Sequence, residues 1–68
     1  MEIKQRFGRG VRSRRRALEI SQEELALCIG ADQAYVSRVE AGQMNVTLET
    51  AAQIAAALEC DFVALFAV

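Results

Sequence analysis

Residues 21–42 read SQEELALCIGADQAYVSRVEAG, and this stretch decides the fold. Ser21 is a good helix N-cap, and Glu24 three residues on completes a capping box. Leu25, Ala26 and Ile29 then fall on one face of a helix. Gly30 accepts the left-handed conformation that a C-cap needs. Asp32 stands where a second N-cap is wanted, Val36 and Val39 give the second helix its buried side, and Gly42 closes it.

Two features separate this pattern from an ordinary helical hairpin. Ala26 is small where the two helices must cross closely, and the turn from Gly30 to Asp32 has three residues with glycine at its start. With Gln22 as position one, the small residue is fifth, the glycine ninth, and Val36 and Val39 fifteenth and eighteenth. A hairpin used only for packing would meet one or two of these requirements by chance. The spacing resembles the DNA-binding helix-turn-helix of the lambda-repressor/Cro-like (XRE-type) family.

The resemblance covers most of the chain: Phe7, Arg15, Ser21 to Ala26, Tyr35-Val36-Ser37, Glu40, Gly42, Thr47-Leu48-Glu49, Ile54-Ala55 and Ala57-Leu58. It implies an all-α, lambda-repressor-like domain in which helices two and three form the motif. It also implies a transcriptional regulator that binds double-stranded DNA as a homodimer on a palindromic operator. Within the family, the size of the chain and Gly42-Gln43-Met44-Asn45-Val46-Thr47-Leu48 are similar to controller proteins of restriction–modification systems, which regulate their own operon. Helix three departs from that pattern at Gln33, where controllers often carry arginine. The family also holds phage repressors and antitoxins. The alternative function is therefore an antitoxin or other protein-interaction module, with a second protein, a toxin or RNA polymerase, as partner.

Around the motif, the pattern predicts a compact five-helix bundle forming one domain over 1–68. The first helix spans 3–19, with Ile3, Phe7, Val11 and Leu18 as its apolar stripe and Arg14 or Arg15 at the inner edge. An inward arginine needs a partner, and Glu40 is the natural one. The resemblance makes the pair Arg15 and Glu40, a structural ion pair. Gly8 and Gly10 weaken the helix start, so the first residues are expected to form a flexible arm. Thr47 caps a fourth helix over 48–58, with Leu48, Ala51, Ile54, Ala55 and Leu58 inward. Asp61 is expected to cap a fifth helix over 62–67.

The chain of 68 residues has a net charge of −1, which hides an asymmetry. Lys4, Arg6, Arg9, Arg12, Arg14, Arg15 and Arg16 against Glu2 and Glu19 give residues 1–20 a balance of +5. The remainder carries −6, with Arg38 as its only basic residue. One side is thus suited to a polyanion. No apolar run reaches membrane-spanning length and no secretory signal is present, so a cytoplasmic location is expected, with no membrane partner. Two cysteines and no histidine leave no four-ligand metal site, no cofactor is implied, and Cys28 and Cys60 read as small buried or half-buried side chains. No catalytic constellation is visible, so the chain does not read as an enzyme.

Side-chain chemistry assigns roles on the motif. Gln33, Ala34, Ser37 and Arg38 lie where bases are read: arginine matches guanine, glutamine matches adenine, and alanine offers a methyl contact to thymine. Gln22, at a helix start, and Tyr35, Gln43 and Asn45 are phosphate candidates, as is Arg12 on the first helix. Arg9, Arg12 and Arg16 share one face, which is either a set of phosphate contacts or a solvated surface. The segment 61–68 holds more apolar side chains than so small a core can take. Phe62, Val63, Leu65, Phe66 and Val68 are therefore candidates for a dimer interface.

Overall fold

The computed structural model describes residues 2–67. Four α-helices follow in order: α1 (Ile3–Ala17), α2 (Gln22–Ile29), α3 (Gln33–Glu40) and α4 (Leu48–Ala57). The expected fifth helix is instead a 3-10 turn, Phe62–Phe66. Its hydrogen bonds run from the Ala64 N–H to the Asp61 carbonyl and from the Ala67 N–H to the Ala64 carbonyl. Asp61 has the extended backbone of an N-cap but makes no side-chain cap, so nothing favours a full α-helical turn there.

Each helix starts on an observed cap. The Ser21 hydroxyl accepts from the Glu24 N–H at 3.0 Å while the Ser21 N–H donates to the Glu24 carboxylate at 2.7 Å. Asp32 caps α3 through the Tyr35 N–H at 2.8 Å, and Thr47 caps α4 through the Thr50 N–H at 3.1 Å. Gly30 closes α2 at φ +70°, in the left-handed region. The helix α1 begins at Ile3, capped by Glu2, so among the described residues the stretch expected to form a flexible arm is helical instead.

Gly8 and Gly10 explain that ordering. Both are buried within α1. A Cβ at Gly8 would run into the Val39 and Glu40 carbonyls of α3, and one at Gly10 would overlap the Leu65 carbonyl of the 3-10 turn. The helix start therefore gives up helix propensity to let two backbones approach, and packing recovers the loss.

The core takes Phe7 and Val11 from α1, Leu25 and Ala26 from α2, and Val36 and Val39 from α3. Ala51, Ile54, Ala55, Leu58 and Leu65 complete it from the C-terminal half. Two expected core residues are outside it: Ile3 is 67% exposed and Leu48 79% exposed. Both stand on the first turn of their helices, where the apolar stripes run past the edge of a small body and no element covers them. Conversely Leu65, expected in the interface set, is only 1% exposed and belongs to the core. The close approach at Gly10 pulls its backbone inward. Cys28 is exposed rather than buried, and Cys60 is half-buried.

Candidate nucleic-acid interface

The buried Val36 and Val39 seat α3 on the core and leave its other face to solvent. Gln33, Ala34 and Arg38 are exposed there, while Ser37 is half-buried on the side toward α1. Ala34 and Arg38 lie four residues apart and so share a face, as do Gln33 and Ser37. The Asp32 cap fixes the start of this helix, and Arg38 stands in its last turn.

Arg14 and Arg15 both turn inward, to different partners. Arg15 Nε donates to Glu40 Oε2 at 2.6 Å and Nη2 to Oε1 at 3.1 Å, a bidentate pair linking α1 to the end of α3. The side chains of Arg15 and Glu40 are only 11% and 4% exposed. The hydrogen bond to Glu40 holds the Arg15 pKa above its ordinary value, against the opposing effect of burial, so the guanidinium stays charged at any working pH. Arg15 Nη1 also reaches the Ile20 carbonyl at 2.9 Å, beside the left-handed Glu19 that ends α1. Arg14 does the same service for α4. Its Nε donates to the Leu58 carbonyl at 2.9 Å and Nη2 to the Glu59 carbonyl at 3.2 Å, where Glu59 is left-handed at φ 58°.

The ion pair continues into the motif. Gln22 Nε2 donates to Glu40 Oε1 at 3.0 Å, and Gln33 Nε2 donates to Gln22 Oε1 at 2.6 Å. Arg15, Glu40, Gln22 and Gln33 thus form one chain of hydrogen bonds joining the first residue of α2, the first residue of α3 and the last residue of α3. Sequence reading treats these four residues as two unrelated sets, one structural and one DNA-facing. No local signal links them, because the connection runs across three helices. The network leaves the Gln33 carbonyl oxygen and one N–H of each amide free for a ligand.

The remaining sequence candidates are more scattered. Tyr35 is half-buried against the core. Gln43 is exposed, its N–H bonded to the Arg38 carbonyl at 2.9 Å, and so it is held at the end of α3. Asn45 is exposed in the following loop, and Arg12 is exposed on α1. Of the interface candidates, Val63 is 74% exposed, Phe62 and Phe66 are half-buried and Val68 lies outside the described residues. Phe62 and Phe66 meet edge to face with ring centroids 5.1 Å apart, and both lie tilted against Phe7, at 6.3 and 5.5 Å. Together with Ile3, Met44 and Leu48 they border an open apolar groove on the far side of α1 from Arg12. Among the described residues no helix is long and apolar enough to cross a membrane, and no cluster of metal-ligating side chains occurs.

Known proteins share this helix-turn-helix fold. A family model described as Helix-turn-helix matches residues 11–65. The control protein C.SmaI of Serratia marcescens is 41% identical over 58 residues, which are 85% of this chain and 69% of that protein. The crystal structure of the restriction–modification controller protein C.AhdI from Aeromonas hydrophila superposes with a TM-score of 0.87 at 41% identity, over 93% of this chain and 91% of that one. The hypothetical transcription factor NHTF from Neisseria superposes with a TM-score of 0.89 at 34% identity, over 96% of this chain and 75% of that one.

Proposed function

The chain belongs to the helix-turn-helix family whose model spans residues 11–65, and from that membership we propose that it is a DNA-binding transcriptional regulator acting as a homodimer. The reading is carried by the surface of α3: Gln33, Ala34 and Arg38 are exposed on a helix whose opposite face is locked into the core. In this reading α3 enters the major groove. Gln33, Ala34, Ser37 and Arg38 read bases, and Gln22, Tyr35, Gln43, Asn45 and Arg12 hold phosphates.

One such helix reads only a few base pairs. Two copies related by a two-fold axis would read two half-sites roughly 34–36 Å apart, one turn of DNA. The apolar groove bordered by Phe62, Phe66, Leu48 and Ile3 supplies the contact surface, together with the exposed Val63 next to Phe62 in the 3-10 turn. Leu65 is withdrawn from this set because it is consumed by the core. The likeness to a protein named as a control protein and to one named as a restriction–modification controller protein supports an autoregulatory controller of such an operon.

Selection of bound duplexes from a random pool tests the reading. Enrichment of one inverted-repeat motif is the expected result. Failure to enrich any sequence, with a protein that sediments as a monomer, would overturn it in favour of the protein-interaction module.

A further inference from the structure

The seven basic residues of the first 20 divide by position. Arg14 and Arg15 are spent on carbonyls and on Glu40. Lys4 borders the apolar groove, and Arg6 Nη2 reaches the Phe66 carbonyl at 3.3 Å. Arg9, Arg12 and Arg16 are left. All three are exposed, and among the described residues none makes a side-chain hydrogen bond or an ion pair.

These three line an open polar trough between α1 and α3, with Ser37 and Ala41 on the opposite wall and Gln22 at one end. The Arg15–Glu40 pair also borders it, but the Glu40 carboxylate already accepts from Arg15 and Gln22. The trough therefore keeps three uncompensated positive charges. Spacings of three and four residues put like charges side by side on one helix face, an arrangement that weakens an isolated helix. A polyanion removes that repulsion.

We infer that Arg9, Arg12 and Arg16 form a second phosphate-binding track on α1, continuous with Gln22 and Ser37, that follows one strand of duplex DNA beside the groove occupied by α3. The inference rests on the DNA-binding reading above, in which Arg12 alone of α1 meets a phosphate, and extends that single contact to Arg9 and Arg16. From Arg9 to Arg16 the helix rises ~10 Å, which matches the axial rise of about three phosphates on one strand. Arginine side chains on such a track position the protein and carry no base preference.

The test is the salt dependence of binding to the selected duplex. In the triple variant Arg9→Gln, Arg12→Gln, Arg16→Gln, the slope of log affinity against log salt should become shallower by about 2.7 per protomer. The base preference should be kept. The triple Arg→Lys variant should retain the parental slope. A control variant, Lys4→Gln with Arg6→Gln, removes charge on the groove side and should change the slope by less per charge. Melting curves show that each variant is folded. A parent that fails to bind duplex DNA overturns the DNA-binding reading itself. A parent that binds, with a slope unchanged in the Gln triple or reduced as much per charge in the control, overturns the α1 track alone.

Discussion

Gln33 Nε2 donates to Gln22 Oε1 at 2.6 Å, so the first side chain of α3 is held by the first side chain of α2. Gln22 is in turn fixed by Glu40, and Glu40 by Arg15. A residue that would face bases is thereby tied, through three side chains, to the buried junction of α1 and α3. Orientation of a side chain before binding reduces the entropy lost when it pairs with a base. Gln22→Ala should therefore do more than weaken binding uniformly. It should also relax the preference at the base read by Gln33, and binding to operators varied at each position checks this. Equal weakening at every position would reduce Gln22 to a phosphate contact.

Glu40→Ala should destabilise the fold. Removing Glu40 leaves the charge of the largely enclosed Arg15 uncompensated, which for a fully buried pair costs ~3–5 kcal/mol and sets the upper end here. For a domain of this size the Tm should fall by an amount on the order of 15 °C. A variant that melts like the parent but loses DNA affinity would mean that Glu40 serves binding rather than folding.

Arg38→Ala should cost ~1–3 kcal/mol on the preferred site and relax preference at one base pair. Its stability should stay near the parental value, because Arg38 is exposed and makes no side-chain bond among the described residues. Competition with single-position operator variants is the measurement, and undiminished preference would remove Arg38 from the reading set.

Gly10→Ala tests the approach of α1 to the 3-10 turn. In an exposed helix this change stabilises by up to ~1 kcal/mol. Here the added methyl would overlap the Leu65 carbonyl, a backbone atom that moves only if the turn moves. Overpacking of this kind costs ~1–3 kcal/mol. Thermal unfolding should show a lower Tm, whereas a higher one would mean that the turn shifts freely.

Val63→Glu and Leu65→Glu should part company. Val63 is exposed, and in the proposed homodimer a charge there would appear twice across the two-fold axis, so the variant should sediment as a folded monomer at micromolar concentration where the parent is a dimer. Leu65 is core, and a glutamate there should unfold the chain. A Val63→Glu protein that remains dimeric would place the interface elsewhere.

The helix-turn-helix was legible in the residues because its signals are local. Ser21, Glu24, Gly30 and Asp32 act on the backbone within one turn of themselves, and the observed caps stand on those residues. The spacing of Val36 and Val39 likewise sets the buried face of α3 without reference to any other helix. What only the tertiary structure decided concerns pairs distant along the chain. Gly8 and Gly10 suggest a loose start until Val39, Glu40 and Leu65 are brought against them, and then they become the points of closest approach. The apolar stripe of Ile3 and Leu48 predicts burial, but whether a stripe is covered depends on how far the body extends, which periodicity does not encode. Leu65 and Val63 are equally apolar and two residues apart, and only the packing of the turn on α1 and α4 sends one inward and leaves the other out. The bond from Gln33 to Gln22 was invisible for the same reason: each glutamine is an ordinary first residue of its helix, and their meeting is set by the crossing of α2 and α3.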